Sequence, residues 1–214
     1  MLRDRPGWPG VGLSAILGLA GRAAYLDAVR QQTRALLRRE LTTLMISLRS
    51  MTEEEFQAFL AQSVPEYASE KIKAGNWTPE EALERSRKDH ATLLPEGLAS
   101  PRQHLYTIEF GGRPVGRLWL SVDPQTAGGA GFIYDLFVAE AFRRQGIAAE
   151  AMRLLEKEAL GLGVSGLSLH VFGYNLAARA LYQKLGYEIT NMNMSKALSS
   201  KPQAIKSAAL LWLS

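Results

Sequence analysis

Hydrophobic and polar positions alternate in short runs between residues 45 and 198, and stretches of helical periodicity separate those runs. Two β-rich runs, His104–Phe110 and Arg113–Val122, flank a pair of glycines, and such a two-residue glycine loop predicts a β-hairpin. The other predicted strands are Ile46–Arg49, Gly131–Val138, Leu167–Phe172 and Tyr187–Met194. Strands interleaved with helices indicate a domain of the α/β (α+β) class.

Helices are predicted between these strands. Thr52 and Glu55 have the spacing of a capping box, so a helix is predicted to begin after Thr52. Pro79 occupies the first position of another predicted helix, where proline is favoured. Beyond the helix after Thr52, the predicted helical ranges are Glu66–Ala74, Thr78–Leu93, Gly146–Leu162 and Asn175–Leu185, the last of which is ended by Gly186.

The first 44 residues differ in composition from the rest of the chain, because they contain seven arginines and only three acidic residues. Within them Leu13–Leu44 lacks proline and predicts a helix with an arginine-rich face. We therefore divide the chain into an extension at 1–44, a domain at 45–198 and an unassigned tail at 199–214. A targeting segment, an upstream start site and a cloning-derived segment are all compatible with the extension.

Composition restricts the classes of function. The extension carries the whole net charge of +4, since the remaining residues contain 18 basic and 18 acidic side chains. A neutral domain lacks the basic excess of a nucleic-acid-binding protein. The chain has no cysteine and only three scattered histidines, so we expect no disulfide, cysteine nucleophile or metal site. The apolar run Val11–Ala20 is shorter than the roughly 20 residues of a membrane span, and a cytoplasmic protein is expected.

The residues most informative about chemistry follow the predicted strand at 131–138. There Arg143–Gly146 leads into a helix whose first turn contains two small residues, Ala148 and Ala149. The first amide N–H groups of a helix lack internal partners and the N-terminus is positive, so this turn is suited to bind phosphate. The glycine permits close approach of the backbone, and the two arginines add positive charge.

A second motif begins roughly 30 residues later and reads Asn175-x-x-Ala178-x-x-Leu181-Tyr182-x-x-Leu185-Gly186-Tyr187. Together the two motifs resemble the signatures of the GNAT acetyltransferase superfamily in order, spacing and secondary-structure context. Those signatures are Arg/Gln-x-x-Gly-x-Gly/Ala and Asn-x-x-Ala-x-x-Leu-Tyr-x-x-x-Gly-Phe/Tyr. The departures are small, because Ala148 stands where glycine is commoner and Tyr187 where phenylalanine is.

The resemblance implies the GNAT fold, in which helices flank a mixed, mostly antiparallel central sheet with a splayed strand pair. It also implies acetyl-CoA as cosubstrate, with the pantetheine arm bound by strand backbone at the splay. The implied cofactor-binding residues are Phe137, Val138, Arg143, Arg144, Gln145, Gly146, Ile147, Ala148, Ala149 and Asn175.

The implied reaction is transfer of the acetyl group to a primary amine by direct attack in a ternary complex. Tyr182 matches the position of the general acid that protonates the departing thiolate. His170 is the first candidate for the base, because alanine N-acetyltransferases of this superfamily that act on ribosomal proteins have a glutamate there. Asp135 and a water relay remain alternatives. Phe132 occupies the position of the glutamate base of histone-type members and excludes that version.

No motif specifies the acceptor, which could be a small-molecule amine or an amine of a protein or peptide. Three acidic residues, Glu66, Glu70 and Glu80, would attract a cationic amine. Two other functions stay open: a non-catalytic acetyl-CoA-binding module, and nucleic-acid binding by the arginine-rich helix, for which charge is the sole support. We expect a monomer or homodimer that binds no nucleic acid and no membrane.

Overall fold

The computed structural model describes residues 19–123, 129–194 and 196. Its helices are α1 (Leu19–Met45), α2 (Glu53–Lys73), α3 (Pro79–Leu93), α4 (Ile147–Gly161) and α5 (Leu176–Lys184). Its strands are β1 (Ile46–Ser50), β2 (Gln103–Phe110), β3 (Arg113–Asp123), β4 (Ala130–Val138) and β5 (Gly166–Leu169). Short 3-10 turns lie at Gly97–Ala99 and Glu140–Phe142.

The five strands form one sheet in the order β1-β2-β3-β4-β5. Strands β1 to β4 pair antiparallel, and β5 pairs parallel to β4. The predicted mixed, mostly antiparallel sheet flanked by helices is therefore confirmed. The β2–β3 hairpin turns through Gly111 and Gly112, whose φ angles of 60° and 76° are readily adopted only by glycine.

The two last strands of the sheet diverge. The β4–β5 pairing ends at Ile133 and Leu169, whereas β4 continues to Val138 paired only with β3 on its other edge. Within the described residues, positions 134–138 of β4 therefore have no neighbouring strand on the β5 side. This splay opens a gap between the two strands.

Helices cover both faces of the sheet, because alternate strand residues point to opposite sides. On one face, Leu118 and Leu120 of β3 pack in a buried cluster with Met152 and Leu155 of α4. On the other face, Phe59 of α2 packs in a second buried cluster with Leu105 of β2, Trp119 of β3 and Leu94, which follows α3. The gap between β4 and β5 thus lies between two helical layers.

Two predicted elements differ in the structure. The predicted separate helix at Glu66–Ala74 is wrong, because α2 runs without interruption through Pro65. Buried side chains on both sides of the proline, including Phe59 and Ala68, hold the helix against the sheet and outweigh the missing backbone N–H.

The predicted last strand at Tyr187–Met194 is also wrong, since those residues form no strand. The side chains of Ile189, Met192 and Met194 are exposed, so the segment has no sheet face on which to bury them. Strand β5 is shorter than predicted and ends at Leu169. Residues 170–172 of the predicted strand, including His170, therefore lie in the loop after β5.

Helix α1 overlaps the predicted helix of the extension and ends at Met45. Residues 1–18 and 199–214 lie outside the described residues, as does most of the loop before β4. The proposed extension, domain and tail boundaries stay predictions. None of the described helices has the length and apolar character needed to cross a membrane.

Candidate active site

The turn before α4 has an unusual backbone conformation. Gly146 is the N-cap with φ 84° and ψ −1°, and Arg144 also has a positive φ of 62°. Left-handed residues in such a turn bring successive peptide N–H groups together as an anion-binding concavity. The first helical bond runs from the Glu150 N–H to the Gly146 carbonyl at 3.1 Å, so the N–H groups before Glu150 precede the helical ladder.

The side chains around this turn differ in how far they are buried. Ile147 is buried in the core, so it can offer a ligand only its peptide group. Ala148 and Ala149 are half-buried, whereas Arg143, Arg144, Gln145 and Gly146 are exposed. An alanine-sized first turn therefore leaves the approach to the helix N-terminus open.

Two side chains of the turn bind the end of β4 and the loop after it. The Arg143 Nε donates to the Val138 carbonyl at 2.8 Å, and the Gln145 Nε2 donates to the Ala141 carbonyl at 3.3 Å. The Arg143 guanidinium also lies 5.8 Å from the Phe137 ring. Arg143 thus holds the turn against the splayed end of β4.

The backbone of β4 at the gap has a defined direction. The Ala139 N–H donates to the Val115 carbonyl of β3 at 2.8 Å, and peptide groups alternate sides along a strand. The peptide groups of Phe137 therefore face β3, whereas those of Val138 face the gap. Of the two predicted pantetheine partners, Val138 directs its N–H toward the gap, whereas the Phe137 ring lies against the guanidinium groups of Arg117 and Arg143.

Helix α5 positions Asn175 and Tyr182. The Asn175 Oδ1 accepts from the Ala178 N–H at 3.1 Å, so this side chain caps the helix. Tyr182 is half-buried, with its ring 5.8 Å from that of Tyr187. Burial, together with the negative charge of Asp135, raises the pKa of Tyr182 to about 12. The hydroxyl is consequently protonated at neutral pH and is a hydrogen-bond donor.

His170 lies immediately after β5, and its ring meets that of Phe172 edge-on at 5.1 Å. His170 is exposed, but partial desolvation by its neighbours lowers its pKa, and the positive charge of Lys71 lowers it further. The imidazole is therefore neutral at pH 7 and can accept a proton. No hydrogen bond in the described part of the chain joins His170 to Tyr182 or Asp135.

Asp135 lies on the splayed half of β4 and is paired with Arg117 of β3. The Arg117 Nε donates to Asp135 Oδ2 at 2.5 Å. Burial raises the pKa of Asp135 despite the opposing effect of Arg117. Sequence reasoning missed Arg117, although a single arginine between the apolar residues Val115 and Leu118 of a central strand was a usable signal.

Of the three predicted acidic residues, Glu66 and Glu70 lie one turn apart on α2, whereas Glu80 lies on α3. Glu66 accepts from Arg117 at 2.7 Å, and Glu70 accepts from the Tyr174 hydroxyl. Glu80 is exposed in the first turn of α3. Glu66 and Glu70 therefore connect α2 to the sheet and to the loop after β5, and Glu80 belongs to another surface.

A cavity of about 1270 Å³ lies beside β5 and is lined by both Tyr182 and His170. Phe132 of β4 and Glu156 of α4 also line it, whereas the turn at 143–149 does not. The cavity and the turn at 143–149 are thus formed by different residues. Among the described residues, no group of three or more His, Asp or Glu side chains is arranged to hold a metal ion.

These features agree with comparisons to known proteins. The sequence profile of the Acetyltransferase (GNAT) family matches residues 66–187, which include both motifs and most of the sheet. The chain belongs to the GNAT family. Two Bacillus subtilis (strain 168) proteins described as uncharacterized N-acetyltransferases are similar to this GNAT chain. YycN is 40% identical over 154 residues, covering 72% of this chain and 99% of YycN. YdgE is 41% identical over 153 residues, covering 71% and 98%.

Solved structures show the same fold for this GNAT protein. The crystal structure of YycN aligns with a TM-score of 0.69 at 39% identity and covers 72% of this chain and 99% of that one. A GCN5-related N-acetyltransferase from Ralstonia eutropha JMP134 aligns with a TM-score of 0.52 at 21% identity. The second likeness concerns the fold alone.

Proposed function

We propose that this GNAT protein is an acetyl-CoA-dependent N-acetyltransferase that uses Tyr182 as general acid. The observation that carries the proposal is the position of Tyr182, which is the tyrosine of the second GNAT motif and lines the cavity beside β5. Its hydroxyl keeps its proton at neutral pH, because burial and the negative charge of Asp135 raise its pKa to about 12.

The residues around the turn fit the phosphates and pantetheine of acetyl-CoA. A Cβ at Gly146 would have no atom within 4 Å, so the space in front of the turn is open. The exposed Arg144 and the helix N-terminus supply positive charge there. The Val138 N–H, which faces the gap, is the backbone donor available to an extended arm that runs along β4.

The transfer requires a neutral amine and two proton movements. The amine nitrogen attacks the thioester carbonyl carbon, a C–N bond forms, and the C–S bond breaks. The nitrogen loses a proton to the base, and the Tyr182 O–H donates its proton to the departing thiolate. The products are the N-acetylated amine and free CoA, and solvent returns the proton from the base to the Tyr182 oxygen.

Two side chains are suited to be the base. His170 is neutral at pH 7 and lines the same cavity as Tyr182. The negative charge of Asp135 raises the pKa of Tyr182, and burial raises the pKa of the Asp135 carboxyl itself, which makes the carboxylate a stronger base. A pH-rate profile of His170→Gln against that of Asp135→Asn separates the two, because removal of the base abolishes its limb of the profile.

The proposal is tested by turnover of the full chain. Spermidine, kanamycin, a peptide with N-terminal alanine and a lysine-containing peptide are each incubated with acetyl-CoA. Release of free thiol is followed, and acetylated product is identified by mass spectrometry. Acetyl-CoA binding without thiol release from any amine would favour the non-catalytic acetyl-CoA-binding module.

The role of Tyr182 is tested in single turnovers with an active amine. Tyr182→Phe keeps the ring and removes the proton donor, so the rate should fall roughly 10² to 10⁴-fold while acetyl-CoA binding is retained. Tyr187→Phe is the matched control, because it removes a hydroxyl from the neighbouring ring. A Tyr182→Phe rate within about twofold of the parent would exclude Tyr182 as the acid.

A further inference from the structure

Arg117 is a buried arginine in the middle of β3. Its side chain is 8% exposed and all three guanidinium nitrogens donate hydrogen bonds. Nε donates to Asp135 Oδ2 at 2.5 Å, Nη1 to Gln62 Oε1 at 2.8 Å and Nη2 to Glu66 Oε2 at 2.7 Å. The guanidinium also lies 4.4 Å from the centre of the Phe137 ring. A buried charge is stable only when it is paired in this complete way.

The partners of Arg117 belong to two different parts of the site. Asp135 and Phe137 are on the splayed half of β4, where the gap opens. Gln62 and Glu66 are on α2, which covers the opposite side of the cleft from α4. One planar guanidinium therefore connects the strand beside the gap to the helix that faces it.

Asp135 remains available for a further contact. Its Oδ1 has no hydrogen-bond partner in the part of the chain that the structure describes, and its side chain is 21% exposed. Besides Arg117, the charged and titratable groups that act on it are Glu66 of α2, His90 of α3 and Tyr182 of α5. Asp135 thus has one carboxylate oxygen held by Arg117 and a second oxygen that is free to bind within the partly exposed side chain.

We propose that Arg117 is a positioning residue for acetyl transfer, which holds the Asp135 carboxylate at the β4–β5 gap and aligns it with Glu66 across the cleft. This inference rests on the proposed acetyltransferase function. Asp135 Oδ1 then receives the proton or the hydrogen bond of the acceptor amine, and Arg117 keeps this carboxylate ionised and correctly oriented. Arg117 acts only through its partners and contacts neither substrate.

Four variants of the full chain test the role of Arg117: Arg117→Met, Arg117→Lys, Asp135→Asn and the double variant Arg117→Met with Asp135→Asn. Arg85→Met on the exposed face of α3 is the control, because it also removes an arginine paired with a glutamate. Each is assayed with the amine that the wild type acetylates best, across pH 5 to 9, and its acetyl-CoA affinity is measured by thermal shift.

Arg117→Met should lower kcat about 10²-fold and leave acetyl-CoA affinity within about twofold, since the anion-binding turn is untouched. The acid limb of its pH-rate profile should move to higher pH, because a buried carboxylate without its cation binds protons more tightly. The double variant should be no slower than Asp135→Asn alone, since both changes disable the same group. Arg117→Lys should be intermediate, because an ammonium cannot span three partners.

The inference is overturned if Arg117→Met keeps kcat within about twofold of the wild type, or if its loss is equal at every pH. It is equally overturned if the losses of the two single variants multiply in the double variant. If Arg117→Met does not fold, Arg117→Lys carries the same test through the position of its acid limb. Absence of wild-type turnover with every amine would refute the acetyltransferase proposal itself, whereas an active wild type with an unaffected Arg117→Met refutes only this inference.

Discussion

Replacement of Gly146 by glutamate is the most direct test of the proposed anion-binding turn. Gly146 has a φ of 84° and no atom within 4 Å of a would-be Cβ. The substitution therefore causes backbone strain of about 1–2 kcal/mol without a steric clash. It also places a negative charge where phosphates would bind. Acetyl-CoA at about 100 times its Kd should stabilise the wild type by about 2.7 kcal/mol, and the variant should lose this gain.

The stabilisation by acetyl-CoA corresponds to a shift in the melting temperature. For a domain of about 150–250 residues, each kcal/mol corresponds to roughly 2–4 °C in Tm. Acetyl-CoA should therefore raise the wild-type Tm by about 5–11 °C. The free Gly146→Glu protein should melt a few degrees lower, although a carboxylate at a helix N-terminus recovers about 0.3–1 kcal/mol of the strain.

Gly112→Glu provides a matched control in the same assay. Gly112 is exposed, has a φ of 76° and likewise has no atom within 4 Å of a would-be Cβ, but it lies at the tip of the β2–β3 hairpin. This variant should show the strain and still retain the full acetyl-CoA shift. An undiminished shift in folded Gly146→Glu, or an equal loss in both variants, would refute placement of the phosphates at this turn.

Four further predictions concern stability and the domain boundary. Tyr187→Phe should raise the free energy of unfolding by about 1 kcal/mol in urea melts, because the buried Tyr187 hydroxyl has no partner among the described residues. Thr52→Ala should lower it by about 1 kcal/mol, since the Thr52 hydroxyl accepts from the Glu55 N–H. Hydrogen bonds from Arg49 lower the pKa of Glu55 to about 2. A carboxyl group whose pKa is lowered by folding stabilises the protein at pH values above its unfolded pKa, and this stabilisation is lost as the pH falls through about 2. Glu55→Gln should therefore destabilise the protein at pH 7 and much less at pH 2 in thermal melts. A chain of residues 45–198 should fold and show the acetyl-CoA shift; if it is insoluble while the full chain is stable, α1 is integral to the domain.

Several features of the protein could be derived from short stretches of sequence. The capping box at Thr52 and the glycine hairpin at residues 111 and 112 both appear as predicted. Each of these depends on hydrogen bonds and backbone angles within a few residues, and such local preferences are readable without a fold. The two motifs that indicated the GNAT family are local in the same sense, since each spans one turn and the helix after it.

Other features depended on the packed structure. A proline at position 65 would end many helices, and only the burial of α2 against the sheet keeps this one continuous. The apolar residues near Ile189 have the composition of a strand, but β5 has four residues and pairs only with β4. Whether a β-prone segment becomes a strand depends on the partner that it meets.

The candidate site likewise combines features that are local in the sequence with features that depend on packing. The sequence by itself determined that this chain contains the two motifs of the GNAT family, one at a glycine turn before a helix and one that includes Tyr182. Only the tertiary structure decided that Arg117 meets Asp135 and Glu66, which are 18 and 51 residues away in the chain. The strand register places Arg117 opposite Phe137 and two residue pairs from Asp135, and α2 supplies the other carboxylate. Ion pairs of this kind arise from non-local packing, so the hydrophobic periodicity of the sequence does not predict them.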